Sequence, residues 1–243
     1  MTDVALVFTL ISGICWFGVY ADIIRTGFKY KTDSMPLFAL MLNLGWEAIY
    51  AILGMRDWNK GETMAHANCI VNSVWFFTDI LILFLYIRNG SKLFINFTTN
   101  HKENKILNLT FVFIVFLVCV GTQIAFYYEF KDNGTPHYTD GNVILEYGMA
   151  GVYSAFIQNA IMSVLFFMVF YMRRDLSGQN MTLGILKFVG TLCPSILYGL
   201  IYGIDPLVIC MGIICATFDI GYIVKTIKIK AYYNSNPKFI VER

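Results

Sequence analysis

Seven apolar stretches, each about as long as a bilayer-crossing helix, fix what this chain can become. They are Val4–Ile24, Pro36–Met55, Met64–Ile87, Ile106–Tyr128, Tyr147–Met172, Thr182–Tyr202 and Pro206–Val224. A spanning helix needs about 20 apolar residues at about 1.5 Å each. Only 14% of the 243 residues are charged, where a soluble domain carries about a quarter. The expected fold is all-α: a polytopic membrane protein with seven transmembrane helices around a central cavity, forming one domain over residues 1–243 with no appended soluble domain. The first stretch lacks a basic leader region and a small-residue cleavage pattern, so it is expected as a retained helix. The net charge of +2 gives no reason to expect a nucleic-acid partner. Six cysteines fall inside the apolar runs without a CxxC or Cys/His cluster, and read as packing thiols rather than disulfides or metal ligands.

Two carboxylates stand where a bilayer disfavours them. Glu47 lies inside the second stretch and Asp219 inside the seventh. A charge near the bilayer centre costs about 2.5 kcal/mol or more, so such acids face a protein interior and are candidates for function. Glu47 falls about 16 Å from the start of its stretch, close to the midplane. Asp219 falls about 9 Å from Lys225, towards the opposite end of its own stretch from Pro206. Asp79 lies at a similar level, with Lys187 as a candidate partner. Asp22 sits near the membrane boundary beside Arg25.

Residues three and four apart share a helix face, and the polar ones line up. The second stretch aligns Asn43, Glu47, Tyr50 and Gly54. The seventh aligns Gly212, Cys215, Asp219, Tyr222 and Thr226. The third aligns Asn68, Asn72, Trp75, Asp79 and Tyr86, and the sixth Lys187, Thr191, Ser195, Tyr198 and Tyr202. The fifth offers Ser154, Gln158 and Met162; the first offers Gly13, Trp16 and Tyr20. Lipid-facing surface cannot carry such stripes, so they are expected to converge inside. Asn, Ser and Thr serve as interhelical hydrogen-bond partners. Gln or Asn would do that work more cheaply than Glu47 and Asp219, which marks the two acids for chemistry.

Aromatic residues make up 16% of the chain, and Trp16, Tyr20, Trp46, Tyr50, Trp75, Phe76, Phe77, Phe218 and Tyr222 fall close to the acids in sequence. A carboxylic acid kept dry can hold its proton and donate it at neutral pH. Aromatic faces stabilise positive charge by up to about 2 kcal/mol when desolvated. Acid, aromatic lining and a water-poor interior together suit a carbocation reaction on a prenyl chain.

The motifs Asn43-x-x-Trp46-Glu47-x-x-Tyr50 and Thr217-x-Asp219-x-x-Tyr222, with the weaker Gly13-x-x-Trp16-x-x-x-Tyr20 and with Met35 eight residues before Asn43, resemble a known group. The chain is similar over nearly its whole length to the small integral-membrane terpene cyclases of fungal meroterpenoid and indole-diterpene pathways, the PaxB-like family. The resemblance implies that Glu47 and Asp219 are the catalytic acids. Trp16, Tyr20, Asn43, Trp46, Tyr50, Asn72, Trp75, Asp79, Phe218 and Tyr222 are the candidates for lining the substrate or cation. It implies protonation of an epoxide or terminal olefin on a prenylated, epoxyfarnesyl-type precursor, followed by polyene cyclisation, with no metal and no cofactor. The implied partners are the hydrophobic prenylated substrate, the lipid membrane, and a prenyltransferase and an epoxidase of the same pathway. An endoplasmic-reticulum-type membrane is the expected location. Consistent with that, the chain lacks the aspartate-rich motif of diphosphate-ionising cyclases and the DxDD motif of soluble protonation-type cyclases. A retinal protein would need a lysine in the middle of the seventh helix, where there is none. A small-solute transporter with a three-plus-one-plus-three layout is the alternative, although Pro194 has no counterpart in the first half and no convincing repeat is visible.

Orientation follows from the loops. Fourteen of the 18 Lys and Arg fall on one side of the seven stretches, and only Arg56, Lys60 and Lys131 on the other. The basic side is cytosolic by the positive-inside rule, which places the C-terminus in the cytosol and the N-terminus across the membrane. The loop Glu129–Glu146, with its sequon Asn133-Gly134-Thr135, is then non-cytosolic, whereas the sequons at Asn89, Asn96, Asn108 and Asn180 face the cytosol. Glycan mapping in a eukaryotic host is expected to find no sugar on those four; a glycan on Asn96 would invert the orientation.

Overall fold

The computed structural model describes residues 3–32, 35–56, 58, 63–89, 101–131, 150–173, 178–201 and 203–235. Seven long helices account for nearly all of them: α1 (Asp3–Tyr30), α2 (Leu37–Arg56), α3 (Thr63–Asn89), α4 (His101–Phe130), α5 (Ala150–Arg173), α6 (Met181–Ile196) and α7 (Pro206–Ser235). All seven are long and apolar enough to cross a membrane when α6 is taken together with the turn that continues it to Ile201. Lipid offers no hydrogen bonds to exposed backbone, and a helix satisfies its own, so the seven apolar runs have no better solution.

Several boundaries move relative to the hydropathy pattern: the first stretch, expected to end at Ile24, continues as helix to Tyr30. The third stretch, expected to end at Ile87, continues as helix to Asn89, and the fourth, expected to begin at Ile106, begins at His101. The seventh stretch, expected to end at Val224, continues as helix to Ser235. Hydropathy registers where the apolar residues stop. A helix continues past that point wherever propensity allows, and Lys, Ile and Ala in 225–231 are compatible with it. Tyr202 and the sequons at Asn96 and Asn133 lie outside the described residues, as does the side chain of Asn68.

Neighbouring helices close into a ring in the order α1, α3, α2, α4, α5, α7, α6 and back to α1. Helix α2 is drawn inward and also touches α5. Its apolar window is 67% buried, and no other helix exceeds 39%. The ring's outer surface is apolar, with Ile14, Phe17, Ile52, Phe77, Phe113, Leu117 and Ile213 more than half exposed. Its interior carries polar groups: Asn43, Glu47, Asn72, Asp79, Gln123, Ser154, Gln158, Ser163, Lys187, Thr191 and Asp219 are all buried. This is the arrangement the stripes require of a protein solvated by lipid.

Helix ends are tied down locally. Asn180 caps α6, its Oδ1 accepting from the Leu183 amide at 2.9 Å. Asp205 caps α7, with Oδ1 accepting from the amides of Leu207 and Val208 at 3.0 and 3.1 Å, just ahead of Pro206 at the first helical position. Its other oxygen accepts from the Tyr153 hydroxyl at 2.7 Å, which fastens α5 to the α7 cap. Pro194 interrupts α6, and a π-helical turn, Leu197–Ile201, follows it. Proline has no N–H for the carbonyl four residues earlier. That carbonyl belongs to Gly190, and Ser12 of α1 donates to it at 2.7 Å.

Close helix contacts rest on glycine. A Cβ on Gly54 would lie 2.9 Å from Cys69 Cβ and 3.0 Å from its Cα, so α2 and α3 meet here backbone to backbone. Gly13 has nothing within 4 Å of that position. Gly54→Ala is expected to destabilise the bundle by about 1–3 kcal/mol through forced separation, whereas Gly13→Ala should be neutral or slightly stabilising. Thermal unfolding of the two variants in one detergent measures the difference, and equal midpoints would refute the close-packing account.

Candidate active site

Asn43 on α2 is the hub of the interior. Its Nδ2 donates to the Tyr20 hydroxyl on α1 and to Asp79 Oδ2 on α3, the latter at 2.8 Å. Its Oδ1 accepts from Gln158 Nε2 on α5 at 3.1 Å. Gln158 in turn accepts from Gln123 Nε2 of α4 at 2.7 Å, and Gln123 also donates to the Leu42 carbonyl. One amide thus joins α1, α2, α3 and α5, and a second amide adds α4. The sequence pattern marks Asn43, Tyr20, Asp79 and Gln158. It misses Gln123, although an amide this deep in the long apolar run of α4 is a readable signal.

Glu47 lies one turn further along the same face. It is 2% exposed, and its Oε2 has no hydrogen-bond partner among the described residues. Asp79 Oδ1 is likewise buried without one. Trp46 and Tyr50 flank Glu47 in sequence and pack on each other with ring centroids 4.6 Å apart. The Trp46 indole donates to Ser154 Oγ at 2.9 Å, and the Tyr50 hydroxyl lies 3.3 Å from the same oxygen, which fixes both rings against α5. Tyr20 stacks on Trp75 at 6.2 Å with an 18° interplanar angle. Asn72 is buried on the inner face of α3.

Asp219 belongs to a second group. Lys187 Nζ of α6 donates to its Oδ1 at 2.8 Å and also to Ser163 Oγ of α5. Both ionic side chains are 3% exposed. Lys187 is therefore the partner of Asp219 and not of Asp79, whose partner is Asn43. The expectation of an Asp79–Lys187 pair fails because α3 and α6 are not neighbours in the ring, whereas α6 and α7 are. Asp219 Oδ2 and Thr191 Oγ1 are buried without a hydrogen-bond partner among the described residues.

The remaining candidates sit at helix seams. Trp16 packs where α1 meets Gly190 of α6. Phe218 meets Phe167 of α5 edge-on at 5.7 Å. Tyr222 donates to Gln179 Oε1 at 2.7 Å, and its oxygen accepts from the Asn180 amide at 3.2 Å. Asn180 also donates to Asp22 Oδ2, while Arg25 pairs with Asp22 Oδ1 at 2.6 Å. Asp22 is thus part of a latch between α1 and the start of α6 as well as a neighbour of Arg25. Among the described residues no three His, Cys, Asp or Glu side chains come together as a metal centre would need. Removing the hub should be costly: Asn43→Leu strips partners from Tyr20, Asp79 and Gln158 together, for an expected loss of about 1–3 kcal/mol. Denaturant or thermal unfolding measures it against Asn108→Leu, whose buried side-chain oxygen has no partner to lose among the described residues.

Comparison with known proteins identifies the family. A family model described as Pyr4-like transmembrane terpene cyclases matches residues 1–203, which take in Glu47 and the Asn43 hub and stop short of α7. Terpene cyclase adrI of Penicillium rubens is 30% identical over 93 residues, covering 37% of this chain and 34% of that protein. Terpene cyclase macJ of Penicillium terrestre is 32% identical over 83 residues, 34% of this chain and 29% of the relative. Terpene cyclase cle7 of Aspergillus versicolor is 35% identical over 74 residues, 30% of this chain and 28% of the relative. These alignments span about a third of the length of the curated relatives. No solved structure matches the chain. With 203 of its 243 residues matched by the family model, the chain belongs to the Pyr4-like transmembrane terpene cyclases.

Proposed function

We propose that the protein is a metal-independent, protonation-initiated terpene cyclase, with residues 1–243 acting as one catalytic domain. Its substrate is a prenylated precursor carrying a terminal epoxide or olefin, of the epoxyfarnesyl type. The observation that carries this reading is Glu47: a buried carboxyl group near mid-span, one oxygen of which has no hydrogen-bond partner among the described residues, on a helix where Trp46 and Tyr50 pack on each other to either side of it in sequence. A carboxylate isolated in an apolar bundle is far costlier than the neutral acid, so the group is suited to give up a proton to a bound acceptor. The relatives' names and the family support a cyclase over a small-solute transporter.

In this reading Glu47 protonates the epoxide oxygen or the olefin, and Asp219 is the second acid of the site. Tyr20, Trp75, Trp46 and Tyr50 face the passing cation, with Asn43, Asn72 and Asp79 fixing that wall. Trp16, Phe218 and Tyr222 hold the seams that shape it. The stacked Tyr20–Trp75 pair is the best placed to steer, because Tyr20 is anchored to the same Asn43 that holds Asp79. The pathway supplies a prenyltransferase and an epoxidase upstream. The membrane is of the endoplasmic-reticulum type, with the C-terminus in the cytosol.

Glu47→Gln keeps the size and most of the hydrogen-bonding capacity of the side chain but cannot act as the acid. Microsomes carrying it are expected to accumulate the unreacted epoxide or its hydrolysis diol, with cyclised product down at least about a hundredfold, the usual scale for loss of a general acid. Asp219→Asn should also lose the parent product. Product analysis by chromatography and mass spectrometry, normalised to protein level, decides; near-normal cyclisation by Glu47→Gln would remove it from the chemistry.

A further inference from the structure

Lys187 is unusual for its place. It is an ammonium group buried in a membrane helix, donating to Asp219 Oδ1 and Ser163 Oγ and lying 6.0 Å from the centre of the Phe166 ring. A buried ion pair gives little net stability, and a well-packed apolar pair would serve as well or better. Structure alone therefore does not account for it. The pair leaves a second carboxylate oxygen, Oδ2, buried and without a hydrogen-bond partner among the described residues. Glu47, in contrast, has no lysine or arginine paired with it among the described residues.

We propose that Lys187 is a positioning residue that holds Asp219 as a carboxylate, so that Oδ2 acts as the base that ends the cyclisation rather than as an acid that starts it. This rests on the cyclase reading and divides the labour of its two acids. Glu47 gives its proton to the epoxide oxygen as the C–O bond opens, and the alkene electrons close the rings. The last cation loses a proton from a neighbouring carbon to Asp219 Oδ2, and the C–H bonding electrons form the new double bond. One proton enters and one leaves, so the product is an isomer of the substrate. Transfer of one proton from Asp219 back to Glu47 restores the starting state. Before deprotonation, the same carboxylate offsets the positive charge of the cation, and Lys187 keeps it aimed through Oδ1. Ser163 takes a second N–H of the ammonium and thereby fixes its direction.

The charge state is testable without a substrate. In infrared spectra of the full-length protein in lipid nanodiscs, Asp219→Asn is expected to remove no protonated-carboxyl C=O band from the wild type. Lys187→Met should gain such a band, absent again in Lys187→Met/Asp219→Asn, while Lys187→Arg should stay like wild type. Loss of a protonated-carboxyl band on going from wild type to Asp219→Asn overturns the proposal, and that comparison needs no lysine variant to fold. With an epoxyfarnesyl-aromatic substrate, Lys187→Met should make at least tenfold less olefinic product and divert material to water-quenched alcohols. Asp219→Asn and the double variant should agree within twofold, because the lysine acts only through Asp219. Lys187→Met with the wild-type product and rate overturns the role. If the wild type converts no such substrate, the cyclase reading fails, and the infrared comparison still decides the ion pair.

Discussion

The bundle depends on how a lipid-solvated protein satisfies polar groups that water cannot reach. Asn43 answers for most of it. A carboxamide has two donors and an acceptor with two lone pairs, and here it serves Tyr20, Asp79 and Gln158 at once. Without an apolar driving force between helices in lipid, packing and such bonds hold spans together. The helix with the hub is the one drawn to the centre of the ring, and its neighbours are oriented by what Asn43 accepts and donates. Glu47 is then carried one turn away, on a face whose rotation is already fixed.

Polarity is distributed unevenly inside the ring. The α1–α2–α3 side holds two carboxyl groups, Glu47 and Asp79, neither paired with a lysine or arginine among the described residues. The α5–α6–α7 side holds Asp219 with a lysine. Two like groups in one membrane interior are thereby placed in different environments, which the proposed division into acid and base requires. The aromatic pairs are spread across the ring: Tyr20–Trp75 joins α1 to α3, Trp46–Tyr50 is held against α5 through Ser154, and Phe167–Phe218 closes the α5–α7 seam.

Much of this was legible in sequence, and the limits have physical causes. The seven spans follow from apolar length alone, and a period of three to four residues is enough to put Asn43, Glu47 and Tyr50 on one inner face. Pairing between helices is a different matter. Whether Lys187 meets Asp79 or Asp219 depends on which helices adjoin, and the ring order α1, α3, α2, α4, α5, α7, α6 is not the chain order. Trp46 and Phe218 each precede an acid by one residue, about 100° around the helix from it. Their packing against α5 follows from that angle once the neighbour is known. The helical continuation of α7 to Ser235 was hidden for another reason: hydropathy reports the bilayer, not the helix.

The bond from Ser12 to the Gly190 carbonyl has a consequence for how the ring is assembled. It is an index mark between the first and sixth helices, partners separated by 178 positions in the chain. The carbonyl is free to accept because Pro194 cannot claim it, and the Ser12 hydroxyl lies at its height on α1. A slip of α1 by one turn would leave an unbonded carbonyl in an apolar seam and push Cys15 and Trp16 off the glycine that receives them. During synthesis the side of α1 that faces α6 must wait uncovered until five further spans have emerged, although its Tyr20 face meets α2 and α3 sooner. The ring then shuts by a long-range contact that tolerates one alignment, and the order in which the helices leave the ribosome is reconciled with an architecture that places the first beside the sixth.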